Sequence, residues 1–315
     1  MKTLAYLKAP LGIAAVALAV FFIISSVTKS STLPPPPDPP AHIPASIPER
    51  RVAHFSDLAI EARAAYVFDV RSNADIFTRN IDAPLPIASL TKLMTALVAV
   101  EYAPESTLVT IDLEALSQDG ESGFWLDEEW RLADILDITL VGSVNDGAYA
   151  IAASIVPFLE SGGGTVSFVD TMNERGRALG LSSTSFNNPT GLDLNGETEP
   201  SAMSSARDVT KLFAYMLKHH PELLEATRLE TVSRSSQDRR TYAIENTNQI
   251  VDDIPLLIAS KTGFTDTAGG NLVIAFDAGL GHPIIITVLG SSPEGRFSDA
   301  QQLIEATLRY TTYGF

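Results

Sequence analysis

The sequence predicts a mixed α and β (α+β) fold in which one sheet joins strands from the two ends of the globular part. Strand-like runs occur near residue 64 and again after residue 256, and the segment between them has helical lengths and periodicity. No internal repeat or second linker interrupts this part of the chain. We therefore expect one folded unit in which helices flank the sheet and a mostly helical insert separates its first strands from its last.

The first strands are predicted as a hairpin. AAYVFDV (64–70) and IFTRN (76–80) are rich in residues that favour strands, and the turn-forming residues RSNAD stand between them. Helices follow, because apolar residues recur at helical spacing over residues 87–102, 134–142, 143–159 after a short loop, 165–181 and 204–219. In the amphipathic helix at 165–181, Phe168, Met172 and Leu179 are candidates for burial.

The last third of the chain is again rich in strands. LLIASKTGFT (256–265) and NLVIAFDAGLGHPIIITVLG (271–290) contain many β-branched residues and are broken by glycines. The segment FSDAQQLIEATLRYTTYGF (297–315) indicates a closing helix. These strands would complete the sheet that the first hairpin begins.

Composition excludes several classes of function. The 315-residue chain is 45% apolar, which is enough for a large core, and it carries a net charge of -16. Such a charge repels a phosphate backbone, so we expect no nucleic-acid partner. The chain contains no cysteine, which excludes disulfides, thiolate zinc sites and cysteine nucleophiles.

The sequence predicts three segments, which are residues 1–29, 30–50 and 51–315. Lys2 and Lys8 precede an apolar run whose length approaches the ~20 residues needed to cross a bilayer, so we expect residues 10–28 to enter the membrane. A secretory signal is the alternative, but the run ends in ISSVTKS without a typical cleavage site, which favours an uncleaved anchor. Either would export the rest of the chain, with the lysines holding the N-terminus in the cytoplasm.

Residues 30–50 are predicted to form a stiff spacer. TLPPPPDPPAHIPASIP (32–48) contains too many prolines for a helix or a sheet and favours extended polyproline structure. At ~3 Å per residue this spacer could reach roughly 50 Å from the membrane. The remaining residues, 51–315, are expected to form the globular domain.

Several common catalytic arrangements are missing from the sequence. There is no G-x-S-x-G elbow, no H-E-x-x-H zinc motif and no phosphate-binding G-x-x-x-x-G-K. The five histidines, His42, His54, His219, His220 and His282, stand where solvated residues rather than bases are expected. We therefore expect neither a metal nor a cofactor.

Lysine remains as a candidate base. Ser89 and Lys92 stand three residues apart at the start of the apolar stretch PIASLTKLMTALVAVEY (86–102), so on a helix they would share a face. Lowering a lysine pKa from ~10.4 to ~7 costs about 4 kcal/mol, which full burial can supply. A second cation such as Lys261 would act in the same direction. The alternative is that Ser89 only begins the helix and Lys92 reaches the solvent.

Three short motifs occur in a fixed order, and they are S-x-x-K (89–92), S-x-N (143–145) and K-T-G (261–263). The first two motifs each have a duplicate that we interpret as a decoy, SVTK (26–29) at the membrane boundary and SFN (185–187) before a turn. K-T-G has no duplicate. This order of motifs is the signature of class A β-lactamases and penicillin-binding proteins.

The chain resembles the serine D-alanyl-D-alanine carboxypeptidases, which are low-molecular-mass penicillin-binding proteins, over roughly residues 60–315. The segments that carry the resemblance are PIASLTKLMTALVA, GSVNDGA, FVDTMNERGRALGL, FNNPTGL, KTGFTDTAGGNL and RFSDAQQLIEATLRYTTYGF. It implies a β-lactamase/DD-peptidase-like fold with an antiparallel sheet. It also implies a bacterial enzyme that trims the terminal D-alanine of peptidoglycan stem peptides in the cell wall, and that β-lactam antibiotics inhibit.

The resemblance also implies roles for the first two motifs. Ser89 would be the acylated nucleophile and Lys92 the base that activates it. Ser143 would pass a proton to the leaving D-alanine, and Asn145 would hold the peptide amide of the substrate. The simpler alternative for Ser143 and Asn145 is that they cap the following helix.

The third motif and its surroundings would bind substrate. Lys261 would supply positive potential, and Thr262 together with Arg296 would receive the terminal carboxylate. Gly263 would let the substrate backbone lie against the strand, and the N–H groups of Ser89 and Phe264 would form the oxyanion hole. A plain strand residue is the alternative for Thr262, and an exposed helix-leading arginine is the alternative for Arg296.

Three other functions use overlapping residues. A D,D-endopeptidase that cuts crosslinks would need the same groups, and a non-catalytic wall-binding protein could retain them. A class A β-lactamase would need a glutamate followed four residues later by asparagine between the second and third motifs, and Glu160, Glu174, Glu197 and Glu199 lack it. We therefore expect a carboxypeptidase in the bacterial cell membrane, with a single membrane pass and an extracytoplasmic catalytic domain.

Overall fold

The computed structural model describes residues 55–120, 122–159, 164–195 and 198–313. The predicted anchor (1–29) and spacer (30–50) lie outside these residues. Across the described ranges, no helix combines the length and the apolar character needed to cross a bilayer.

The described residues contain twelve strands and seven α-helices. The strands are β1 (Ala64–Asp69), β2 (Ala74–Arg79), β3 (Leu85–Pro86), β4 (Leu108–Thr110), β5 (Glu129–Arg131), β6 (Ser185–Phe186), β7 (Ala202–Ser204), β8 (Thr231–Ser235), β9 (Thr241–Glu245), β10 (Leu257–Thr265), β11 (Gly269–Asp277) and β12 (Pro283–Ser291). The helices are α1 (Thr91–Tyr102), α2 (Leu113–Leu116), α3 (Leu132–Val141), α4 (Asn145–Ile155), α5 (Thr165–Ala178), α6 (Ala206–His219) and α7 (Gly295–Tyr313). Short 3-10 helices cover Ala88–Leu90, Val156–Phe158, Pro221–Arg228 and Val251–Asp253.

The main sheet confirms the predicted fold class. Its five strands run in the order β10-β11-β12-β1-β2, and every neighbouring pair is antiparallel. The N-terminal hairpin therefore joins the sheet through β12, with Val67 opposite Ile286. This arrangement leaves β10, the strand that carries K-T-G, at one edge of the sheet.

Each face of the sheet packs against a different apolar core. Alternate residues of β11 point to opposite faces, so Leu272, Ile274 and Phe276 join the core beneath α7 while Val273 and Ala275 join the core shared with the helical insert. Because both faces are covered, the central strands are apolar at nearly every position. The sheet is thus covered on both faces, and its edge strand β10 lies beside the insert.

The predicted helix at 87–102 is not continuous. Residues Ala88–Leu90 form a 3-10 helix in which Ala88 has a φ of +47°, and the α-helix begins only at Thr91. Sequence periodicity cannot reveal this break, since the apolar pattern passes through it unchanged. In α5, Phe168 and Met172 are fully buried as predicted, whereas Leu179 lies just beyond the helix and is half-buried.

Two further features differ from the sequence-based expectations. The β8–β9 hairpin is missing from the sequence-based prediction, because its strands are short and Val232 is their one fully buried residue. The expectation of a solvated His282 is wrong. Asp277 accepts hydrogen bonds from three backbone amides of the β11–β12 turn, and the folded turn buries His282 with its Nε2 2.8 Å from Asp69 Oδ2.

Candidate active site

Ser89 lies on a tight turn that is enclosed by backbone on two sides. A Cβ added to Gly191, whose φ is +82°, would lie 2.1 Å from the carbonyl oxygen of Ala88. A Cβ added to Gly263 would lie 2.7 Å from the carbonyl oxygen of Ile87 and 3.2 Å from the amide nitrogen of Ser89. The Ser89 turn therefore fits against two glycines. The space left by Gly263 is occupied by this turn, which is a different reason for the glycine than the predicted room for substrate.

Lys92 is fully buried one turn after Ser89, which rules out the alternative of a lysine that reaches solvent. Its Nζ lies 2.9 Å from Ser89 Oγ, 2.7 Å from Asn145 Oδ1 and 2.6 Å from the carbonyl oxygen of Thr190. Burial, and secondly the charge of Lys261, lower the pKa of Lys92 well below its ordinary value. Both effects act in favour of the neutral amine.

The neighbours of Lys92 determine where the lone pair of the neutral amine points. The oxygens of Thr190 and Asn145 can only accept hydrogen bonds, so they take the two N–H groups of the amine. The lone pair remains for the third neighbour, which is the hydroxyl of Ser89. This arrangement lets the serine donate its proton to the lysine.

Asn145 has a fixed orientation at the start of α4. Its Nδ2 donates to the carbonyl oxygen of Asp119 at 2.6 Å, which directs Oδ1 toward Lys92. The N-cap position of α4 is Val144, and no side chain caps the helix. The alternative of Asn145 as a helix cap is therefore wrong.

Ser143 and Lys261 form a second pair beside the first. Lys261 Nζ donates to Ser143 Oγ at 2.8 Å and to the carbonyl oxygen of Thr262 at 2.9 Å. Lys261 is buried on the edge strand β10, and burial, followed by the charge of Arg296, lowers its pKa to about 7. Ser143 adopts a left-handed backbone conformation, with a φ of +57°.

The remaining predicted site residues lie along the same edge strand. Thr262 is buried, and its Oγ1 lies 2.6 Å from Thr247 Oγ1. The guanidinium of Arg296 comes from the first turn of α7, is half-buried, and donates from Nη1 to the carbonyl oxygen of Gly263 at 3.0 Å. The side chain of Phe264 is 44% exposed. Arg296 is thus anchored to the K-T-G strand rather than free in solvent.

The structure also contains contacts that the sequence did not reveal. The carbonyl of Thr190 is positioned by Asn188, whose Oδ1 accepts from the backbone amides of Thr190 and Gly191. The segment NNPTG indicates a turn, but nothing in the sequence shows that the carbonyl of this turn would contact Lys92. Thr247 and the carbonyl of Asp119 were missed for the same reason, because only folding brings them to the motifs.

The decoy motifs and the candidate glutamates do not join this cluster. Ser185 and Asn187 of SFN are exposed, and SVTK (26–29) lies outside the described residues. Glu174 and Glu199 are exposed, while Glu160 and Glu197 fall outside the described ranges. No group of three or more metal-ligating side chains occurs in the part of the chain that the structure describes.

The chain is similar to several known proteins. A family model described as D-alanyl-D-alanine carboxypeptidase, Peptidase S11, matches residues 51–292. The chain is 28% identical to the D-alanyl-D-alanine carboxypeptidase DacF of Bacillus subtilis over 82% of this chain and 65% of that protein. It is 33% identical to the D-alanyl-D-alanine endopeptidase of Escherichia coli over 68% of this chain and 67% of that protein.

A solved structure is similar as well. Penicillin-binding protein D2 of Listeria monocytogenes, in its ampicillin-bound form, is 30% identical with a TM-score of 0.65, over 79% of this chain and 98% of that one. The chain spans about two thirds of the length of the two curated relatives.

Proposed function

The chain belongs to the D-alanyl-D-alanine carboxypeptidase family, and on this premise we propose that it is an exported serine carboxypeptidase. Its substrates are peptidoglycan stem peptides, from which it removes the terminal D-alanine through an acyl-enzyme on Ser89. One observation carries the proposal. Lys92 Nζ lies 2.9 Å from Ser89 Oγ, and its other two neighbours, Asn145 Oδ1 and the carbonyl oxygen of Thr190, can only accept hydrogen bonds, so a neutral Lys92 would turn its lone pair to the Ser89 hydroxyl.

The first step forms the acyl-enzyme. Lys92 takes the hydroxyl proton, and Ser89 Oγ attacks the carbonyl carbon of the bond between the two D-alanines. The backbone N–H groups of Ser89 and Phe264 stabilise the oxyanion of the tetrahedral intermediate. The intermediate then collapses and breaks the C–N bond.

Ser143 completes the proton transfer. The leaving D-alanine amine takes the proton of the Ser143 hydroxyl, and the proton that Lys92 took from Ser89 then passes to Ser143, which Lys261 holds in place. The 2.8 Å contact between Lys261 Nζ and Ser143 Oγ supports this relay. Water then attacks the ester carbonyl and gives a proton to Lys92, which passes it to Ser89 Oγ as the ester C–O bond breaks, so that the shortened peptide and free Ser89 are released.

Recognition of the terminal carboxylate distinguishes a carboxypeptidase. Lys261 provides positive potential, and Thr262 with Arg296 receives the carboxylate. The anchoring of Arg296 to the Gly263 carbonyl supports this role, since it keeps a cation beside the K-T-G strand. Asn145 holds the substrate amide, and β-lactams, which carry a similar carboxylate, acylate the same serine.

A second candidate function is D,D-endopeptidase activity on crosslinks. The likeness to the Escherichia coli endopeptidase, at 33% identity, favours it. The same catalytic residues serve both reactions, and they differ in whether a free carboxylate is required next to the cleaved bond. Product analysis on a pentapeptide and on a crosslinked dimer separates the two. Cleavage of the dimer with an intact pentapeptide would contradict the carboxypeptidase assignment.

We further propose that residues 1–29 anchor the protein in the bacterial cell membrane, with residues 30–50 as a spacer and the catalytic domain (51–315) outside the cytoplasm. The apolar run that follows Lys2 and Lys8 supports this location. Fractionation of cells, combined with protease treatment of spheroplasts, tests it. Recovery of the full chain in the cytosol would overturn it.

Labelling with benzylpenicillin tests the proposed enzyme directly. We expect the intact mass of the protein to increase by one penicillin, and peptide mapping to place the adduct on Ser89. The Ser89→Ala variant should show no adduct while unfolding at a similar temperature. A wild-type protein that remains unlabelled would favour a non-catalytic wall-binding protein, and rapid turnover of penicillin would favour a β-lactamase.

A further inference from the structure

Thr247 lies outside the three motifs but contacts two parts of the cleft. It follows β9, and its backbone N–H donates to the carbonyl oxygen of Val141 at 3.1 Å, where α3 ends just before the S-x-N segment. Its Oγ1 lies 2.6 Å from Thr262 Oγ1 on the K-T-G strand. The residue therefore contacts the hydroxyl of Thr262, the group proposed to receive the carboxylate.

In the hydrogen bond between the two hydroxyls, either Thr247 or Thr262 can be the donor. Each hydroxyl has one proton and two lone pairs. If Thr262 donates to Thr247, its only proton is used inside the protein. If Thr247 donates to Thr262, the Thr262 proton is free for an external acceptor.

The surroundings of Thr247 favour the second direction once an anion is present. The other acceptor within reach of the Thr247 hydroxyl is the Val141 carbonyl, which is more distant, at 3.3 Å, and already accepts the Thr247 N–H. A carboxylate can only accept hydrogen bonds, so it selects the state in which Thr262 donates outward. A hydroxyl that accepts one bond while it donates another is also polarised and becomes a stronger donor.

We propose that Thr247 is a positioning residue that orients and polarises the Thr262 hydroxyl for the carboxylate of the substrate. This inference rests on the proposed function, because it assumes that Thr262 receives the carboxylate. It goes beyond that function by making a residue outside the three motifs part of the selection for a free carboxylate. The substrate class that it favours is a peptide, or a β-lactam, with an ionised carboxylate next to the cleaved bond.

The chain offers a closely matched pair of variants. Thr247→Val keeps the shape and the backbone N–H of the residue but removes the hydroxyl. Thr247→Ser keeps the hydroxyl and removes the methyl group. The rate constant for acylation of Ser89 is measured with benzylpenicillin and with benzylpenicillin methyl ester, which lacks the charge.

We expect Thr247→Val to slow acylation by benzylpenicillin about tenfold, as for a weakened hydrogen bond to a charged group, with less than about a twofold effect on the methyl ester. Thr247→Ser should restore the rate to within about twofold, since it retains the donor. An equal loss with both compounds would mean that Thr247 only supports the fold, and would overturn the inference. An unchanged rate with benzylpenicillin would overturn it as well.

A double-mutant cycle tests whether Thr247 acts through Thr262. In a Thr262→Val background, Thr247→Val should cause no further loss with benzylpenicillin. A further loss of the same size as in the wild type would contradict the proposed coupling. Acylation of the wild type at Ser89 is measured in the same series. Its absence would overturn the proposed function itself, so the two failures are distinguishable.

Discussion

Lys92 Nζ lies 2.6 Å from the carbonyl oxygen of Thr190, a residue 98 positions further along the chain. This contact uses one N–H of the amine and leaves the Ser89 hydroxyl as the partner of the lone pair. The next residue, Gly191, packs against the Ala88 carbonyl of the Ser89 turn. The loop that contains Thr190 therefore positions both the base and the nucleophile.

We predict that Gly191→Ala strongly reduces acylation of Ser89. The new Cβ would lie 2.1 Å from the Ala88 carbonyl oxygen, so the loop and the Ser89 turn must separate. A displacement of about 1 Å can cost on the order of a hundredfold in rate. Stopped-flow acylation with a fluorescent penicillin measures the loss.

Gly180→Ala is the matched control for this prediction. Gly180 has a similar left-handed φ of +69°, but a Cβ there would meet nothing within 4 Å. Its cost is therefore the backbone strain alone, about 1 kcal/mol of stability. If the two variants acylate at the same rate, the close approach of Gly191 to the Ser89 turn does not control the nucleophile.

The pH dependence of acylation should respond to the charge on Lys261. Reaction requires a neutral Lys92, so the rate rises with pH as this residue loses its proton. The charge of Lys261 contributes to the lowered pKa of Lys92. Replacing Lys261 by methionine removes that repulsion and raises the pKa of Lys92, so the acid limb of the rate profile should move to higher pH.

The measurement for this prediction is kcat/KM, or the acylation rate constant, from pH 5 to pH 10. The position of the acid limb matters rather than the height of the plateau, because Lys261 is also proposed to bind substrate. An acid limb that stays in place in Lys261→Met would show that the two lysines do not interact.

The sequence predicted the fold class and the motifs well, and the reasons are physical. The continuous apolar runs of β11 and β12 and the helical period of α5 follow directly from which faces are buried, and the structure confirms them. The residues of the three motifs were found from spacing, and the structure brings them into two hydrogen-bonded groups, one of Ser89, Lys92 and Asn145 and one of Ser143 and Lys261. The roles assigned to them stay predictions.

Other parts of the site could not be predicted from the sequence. The carbonyl groups of Thr190 and Asp119 act through the backbone, which carries no residue-type signal. The partnership of Thr247 with Thr262 depends on how the β8–β9 hairpin packs. The break before α1 arises because the Ser89 turn fits between Gly191 and Gly263, which is a tertiary constraint.

The alkaline side of the profile should respond to Arg296. Lys261 has a pKa of about 7, and the charge of Arg296 contributes to lowering it. Above this pH the free enzyme loses the positive charge of Lys261, so kcat/KM for substrates with a free carboxylate should decline. Arg296→Gln removes the repulsion and raises the pKa of Lys261, which moves the decline to higher pH.

This shift is separable from the loss of the carboxylate contact proposed for Arg296. The loss lowers kcat/KM at every pH, whereas the change in the pKa of Lys261 moves the midpoint of the decline. An NMR titration of the Lys261 side chain in the free protein measures the midpoint independently. A midpoint that moves to lower pH in Arg296→Gln would contradict the assigned interaction.

Asp146 should affect both stability and acylation. Its carboxylate is buried beside Asn145, accepts a hydrogen bond from the Ser122 hydroxyl through Oδ2, and has no partner for Oδ1 within the described part of the chain. Burial raises the pKa of Asp146. The folded state therefore favours the protonated form, so stability falls as the pH rises from the unfolded pKa through the raised folded pKa.

We therefore expect Asp146→Asn, which is neutral and keeps an acceptor for Ser122, to gain stability relative to the wild type between pH 4 and pH 7. Asp146→Ala loses the contact with Ser122. Because Ser122 stands three residues after Asp119, whose carbonyl orients Asn145, we expect this variant to slow acylation about tenfold. Chemical denaturation at both pH values and penicillin acylation measure the two effects. If the stability difference between Asp146→Asn and the wild type does not change with pH, burial does not raise the pKa of Asp146.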